Sequence, residues 1–144
     1  MALSKLIYTS SMSQHCNLEE IDNILNQSRT RNTDKNITGV LYYSNQFFFQ
    51  CLEGELSDIE QVFQSIAQDK RHTDVQLVDV STIDNREFGD WSMAYVFQSE
   101  ELIPLHRELF NTDNFDPRDI TVEQACTLTS RLKHELPKAY CSIS

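Results

Sequence analysis

Residues 37–52, ITGVLYYSNQFFFQCL, decide the fold. Two β-branched and aromatic runs, 37–43 and 46–52, flank the polar pair Ser44-Asn45. Runs of that composition favour strands, and a two-residue polar break favours a tight hairpin. Alternation along the second run puts Phe48, Gln50 and Leu52 on one face and Cys51 on the other.

Working outward, residues 17–31 read as a helix. Asn17 is its cap, Glu20 sits at the capping-box position, and Leu18, Ile21, Ile24 and Leu25 form its apolar stripe. Before it, LSKLIYTS (3–10) reads as a strand with Leu6, Tyr8 and Ser10 on one face. After the hairpin, Ser57 and Glu60 suggest a second capping box, opening a helix to about residue 69 with Ile59, Val62, Phe63 and Ile66 inward. DVQLVDVSTI (74–83) alternates like a half-buried strand. WSMAYVF (91–97) reads as a final strand with Trp91, Met93 and Tyr95 on one face. The order β-α-β-β-α-β-β implies an α+β, ferredoxin-like sheet with two helices on one face.

Residues 97–144 suggest a helix near 99–110, a break at Asn114–Pro117 and a helix near 119–135. They form either a helical cap on the other sheet face or a partner or oligomer surface. The expected division is 1–97 for the main α+β domain and 98–144 for the helical extension of the same unit.

Composition narrows the classes. The 144 residues suffice for one domain, and 40% hydrophobic with 24% charged residues is globular. A net charge of −10 removes the usual electrostatic drive toward nucleic acid or acidic membrane. The four cysteines, Cys16, Cys51, Cys126 and Cys141, include no Cys-x-x-Cys, and His15–Cys16 needs distant partners to hold metal. Without a signal peptide or membrane-length apolar run, a cytoplasmic protein with reduced thiols is expected.

Several polar residues continue apolar stripes. Ser28 follows Ile21, Ile24 and Leu25 at helical spacing, and Asn32 lies four further on. Asp69 follows Ile66 by three. Gln50 lies between Phe48 and Leu52 on its face. Buried amides and hydroxyls need partners, so this pattern implies a cleft that takes a polar ligand. Each residue alone is more often part of an ordinary core or a solvated turn than of a binding site.

The local strings go further. LIYTS (6–10), SRTRN (28–32), ITGVLYY (37–43), FFFQCLEGE (47–55), DKRH (69–72) and REFGDWSMAY (86–95) together resemble the BLUF family of flavin photoreceptors, over roughly residues 3–96. The resemblance implies FAD, with FMN as the alternative. It implies that Tyr8 gives an electron and proton to excited flavin, and that Gln50 bridges phenol and flavin and changes its hydrogen bonding with light. Asn32 then bonds the flavin ring, Ser28 lies near flavin and tryptophan, and Asp69, Arg71 and His72 line the pocket. Ile37 and Leu41 form apolar wall, and Trp91 and Met93 shift as the signal leaves. Arg31 departs from the Asn or His common in the family. It either faces a flavin phosphate or points to solvent. Cys51, on the opposite face, disfavours a cysteinyl adduct.

Residues 97–144 contain no recognisable cyclase, phosphodiesterase or DNA-binding segment. Output is therefore expected through a separate signalling protein or a changed homo-oligomer. The competing readings are a ferredoxin-like flavin-dependent enzyme, for which Arg71–His72 is a weak hint, and a flavin-free interaction domain. An RNA-binding module is opposed by the charge.

Overall fold

The computed structural model describes residues 3–14, 16–97 and 100–139, with side chains to residue 134. His15 and Cys141 lie outside the described residues. The elements are β1 (Leu3–Met12), α1 (Leu18–Lys35), β2 (Thr38–Ser44), β3 (Phe47–Glu55), α2 (Leu56–Ala67), β4 (His72–Thr82), β5 (Ala94–Phe97), a 3-10 turn (Glu100–Leu102), α3 (Ile103–Phe110) and α4 (Val122–Ala139). The sheet order is β4-β1-β3-β2-β5. All neighbours run antiparallel except β2 and β5, which are parallel. This is the α+β, ferredoxin-like plan extended by β5 at one edge.

The hairpin forms, with its turn one residue later than the composition suggests. Ser44 completes β2, and Asn45 and Gln46 take left-handed φ values of 52° and 68°. Two successive positive φ values make the primed turn whose twist matches the flanking strands. Gly39 lets β2 approach β3. A Cβ there would lie 2.0 Å from the Cys51 carbonyl oxygen.

The strand period divides the core in two. On the front face, Leu6, Tyr8, Leu41, Phe48 and Leu52 pack under Ile21 and Leu25 of α1 and Ile59 and Val62 of α2. On the back face, Ile7, Val40, Tyr42, Phe49, Cys51 and Val96 pack under Leu102, Leu105, Phe115, Leu128 and Leu132. The expected helical cap is therefore present, with Thr121 and Gln124 closing a reciprocal capping box at the start of α4.

Several boundaries differ from the sequence reading. Helix α1 runs four residues beyond 31, to Lys35, and is capped by Asn36, whose left-handed φ of 56° lets its N–H reach the Asn32 and Thr33 carbonyls. Asparagine does here what glycine usually does at a helix end. The Ser57–Glu60 capping box does not form. Helix α2 begins at Leu56, after Glu55, which makes no side-chain cap bond. Strand β4 begins two residues early, at His72. Strand β5 begins only at Ala94, so residues 91–93 are a crossing segment, not a strand. Among the described residues no helix is long and apolar enough to cross a membrane, and no cluster of His, Cys, Asp and Glu could hold a metal.

Candidate functional site

The sheet register sets the centre of the site. Tyr8 lies directly opposite Gln50, and Gln50 opposite Leu41, across β1, β3 and β2. All three side chains face α1 and α2. The Tyr8 hydroxyl donates to Gln50 Oε1. Burial raises the phenol above its ordinary range, with Arg31 opposing and Asp69 adding to the shift. At neutral pH it is a protonated phenol aimed at an amide oxygen.

The other end of that amide is poorly served. Gln50 Nε2 contacts Met93 Sδ at 3.3 Å. Two N–H donors on a fully buried amide thus meet one thioether, a weak acceptor. Buried donors almost always have better partners.

Helix α1 supplies the next layer. Its inward stripe turns polar after Leu25, with Ser28, Arg29 and Asn32 all buried. Asn32 Nδ2 donates to the Ser92 carbonyl at 2.8 Å, and Arg29 Nε to the Met93 carbonyl at 3.2 Å. Both clamp the crossing segment. Arg31 is half-buried and reaches Ser28 Oγ at 3.4 Å and Asn32 Oδ1 at 3.5 Å. It points neither wholly outward nor into a pair with a carboxylate, and burial lowers its pKa.

The turn after α2 closes the far side. Asp69 accepts from the Arg71 guanidinium at 2.6 and 3.0 Å and from its backbone N–H at 2.9 Å. That pairing holds the Asp69 carboxyl below its usual range. Arg71 also reaches Gln27 and Glu20 on α1, tying the two helices together. His72 Nδ1 bonds Ser10 Oγ at 2.9 Å, and its ring lies 4.7 Å from that of Phe48. Burial lowers its pKa to about 4, so the imidazole is neutral.

Tyr8, Ser28, Arg31, Gln50, Asp69, Arg71 and His72 line one cleft between the helices, joined by Ile24, Gln27 and Ile66. Asn32, Ile37, Leu41 and Met93 are buried close around it in the same half of the fold. Trp91 is elsewhere. It packs with the back-face core, and Lys133 Nζ of α4 sits 4.5 Å above its ring. The expectation that Trp91, Met93 and Tyr95 share a face fails because the chain crosses the sheet edge at 91–93. Sequence reasoning missed Gln27, which lines the cleft, and Arg29, which holds the crossing segment. For Arg29, its place one residue after Ser28 on a polar stripe was the available signal.

The BLUF family profile, described as sensors of blue light using FAD, matches residues 3–94. Among curated relatives, the photoactivated adenylate cyclase subunit alpha of Euglena gracilis is 31% identical over 93 residues, which is 63% of this chain and 9% of that protein. The blue light- and temperature-regulated antirepressor BluF of Escherichia coli is 29% identical over 91 residues, 63% of this chain and 23% of that protein. The chain thus corresponds to a small part of these relatives' length. Among solved structures, BlsA in its photo-activated state superposes with a TM-score of 0.80 at 28% identity, covering 99% of this chain and 97% of that one. BlrB in its dark state gives 0.75 at 29% identity, covering 94% and 98%.

The cleft can be tested against a flavin ring. Its chemistry fits: an amide with spare donors, a serine hydroxyl, an arginine and apolar walls suit a flat heterocycle bearing carbonyls. Its free volume does not yet suffice, at about 20 Å³. Three of the side chains that line it, Gln27, Arg31 and Arg71, are long and stand at or near the surface. A flavin ring there would require these side chains to move outward, and for Arg71 to give up its bonds to Gln27 and Glu20. Sequence profile, fold and donor set agree that the chain belongs to the BLUF family.

Proposed function

We propose that this chain is a blue-light photoreceptor, not an enzyme, that holds flavin (FAD by the family's description) between α1 and α2. The carrying observation is the buried Tyr8–Gln50 pair, with the far end of the amide facing, among the described residues, only a thioether. Gln50, Asn32, Ser28 and Arg31 would hold the ring, with Ile37 and Leu41 as apolar support. A bound, photoexcited flavin supplies a strong oxidant. Tyr8 is the oxidisable phenol, and its proton already points at Gln50 Oε1. The amide ends are nearly isosteric, so rotation or tautomerisation exchanges donor for acceptor without repacking the core.

The route outward runs through Met93. A changed Gln50 alters the Met93 contact, and residues 91–93 link that side chain to Trp91 beneath α4. Residues 1–97 sense and residues 98–144 report, to a separate signalling protein or through altered self-association. The test is the visible spectrum of the purified protein. Flavin bands that shift red under blue light and recover in darkness support the reading. Tyr8→Phe keeps the yellow colour and loses the reversible shift, and a normal photocycle in that variant would sink the assignment. A colourless protein, made with ample flavin, would overturn flavin binding itself.

A further inference from the structure

A second cavity lies at the end of β1, beginning one residue past Tyr8. It opens where the end of β1 and the starts of β3 and β4 meet the loop joining α3 to α4, and its volume is about 330 Å³. Small-ligand sites usually span ~300–1,000 Å³.

Thr9, the residue after Tyr8, lines it. Thr9 is 2% exposed, and its hydroxyl has no hydrogen-bond partner among the described residues. A buried hydroxyl without a partner marks a place where a ligand atom gains a bond.

The strand geometry aims a charge at the same space. Thr9 pairs with Gln76 and Ser11 with Thr73, so Asp74 and Val75 both face Ser10. Asp74 takes a left-handed φ of 51° in this bulge. Bulges of this kind re-aim side chains.

The charges select the sign of the ligand. Arg118 lies over the Phe47 ring at 5.4 Å and is committed to Asp116 by bonds of 2.9 and 2.7 Å. Asp74 and Asp119 also line the cavity and form no ion pair among the described residues. Arg118 is paired with Asp116 and also feels the charges of Asp119 and Asp74, so one guanidinium stands among three carboxylates, an excess of negative charge that disfavours an anion. Phe47 already accepts a cation on its face, an arrangement open to a ligand cation as well.

We propose that this cavity binds a small organic cation, an alkylamine or a guanidine. Its charge pairs with Asp74 and Asp119, its apolar body lies on Phe47, and one N–H donates to Thr9 Oγ1.

The test is calorimetric titration of the full chain in darkness with agmatine, with putrescine and with inorganic phosphate. Agmatine or putrescine should bind, and the paired change Asp74→Asn with Asp119→Asn should weaken binding by about tenfold or more. Thr9→Val, which keeps the volume, should weaken it too. Asp74 and Asp119 are exposed, so the paired variant stays informative even if Thr9→Val fails to fold. No heat with either amine at millimolar concentration overturns the proposal. So does amine binding that survives the paired change, and so does phosphate binding that Arg118→Gln abolishes.

Discussion

Trp91 and Met93, two residues apart, serve opposite faces of the sheet. Met93 Sδ touches Gln50 Nε2 at 3.3 Å on the front, while the Trp91 ring lies under Lys133 Nζ at 4.5 Å on the back. Trp91 is the only tryptophan in the chain. Its fluorescence therefore reports on the back face alone. If the front-face pair signals through the crossing segment, blue light should change Trp91 emission in the wild type and leave it unchanged in Met93→Ala. Lys133→Met should alter the emission in darkness without disturbing the flavin spectrum.

Met93→Ala also removes a fully buried side chain. Met-to-Ala changes in cores cost about 2–5 kcal/mol. Denaturant titration in the dark should show that loss, whereas Met93→Leu, close in volume, should cost less than ~1.5 kcal/mol.

Arg29→Met should keep the helix stem packed but leave the Met93 carbonyl without its Nε donor. A buried carbonyl so deprived costs about 1–3 kcal/mol. The functional expectation is a bound flavin with altered dark recovery, read from the decay of the red-shifted spectrum. Loss of flavin from Arg29→Met would mean instead that Arg29 shapes the cleft.

His72 gives a pH dependence with a definite sign. Unfolded, it takes a proton near pH 6.5, whereas folded it does so only near pH 4 because burial disfavours the charge. Between those values the unfolded chain binds more protons, so stability falls as pH drops from about 6.5 to about 4 and is flat above. The contribution is on the order of 1–3 kcal/mol. His106 is lowered by burial as well. The comparison is therefore between wild type and His72→Gln, whose stability should fall less steeply across the same window.

Gly39→Ala should prevent the β2–β3 approach. Its Cβ would overlap the Cys51 carbonyl, and backbone cannot rotate away as a side chain can. Because overpacking typically costs ~1–3 kcal/mol and a backbone clash exceeds it, soluble yield should collapse, with flavin absent from what remains.

Much of this was legible in the sequence. The period-two pattern of residues 47–52 placed Gln50 and Cys51 on opposite faces, and the structure agrees. Helical spacing placed Ser28 and Asn32 on the buried stripe of α1, where they lie. Illegible were the features set by tertiary contact. Trp91 breaks the alternation because Phe88–Asp90 turn and the Gly39 N–H donates to the Trp91 carbonyl at 3.3 Å. Arg29 is buried because a backbone carbonyl from 64 residues away receives it. The α4 start was legible but overlooked, since Thr121 and Gln124 stand at capping-box spacing.

The back-face core carries a last consequence, for anyone wishing to shorten the chain. A cut after Phe97 would leave Val40, Tyr42, Phe49 and Val96 facing water, because Leu105, Phe115, Leu128 and Leu132 cover them now. Such a fragment would be an open sheet with one greasy side, prone to stick to its neighbours. The helices after Phe97 thus act as a lid on the back of the sheet, and the strands before Phe97 are not a self-sufficient unit without them.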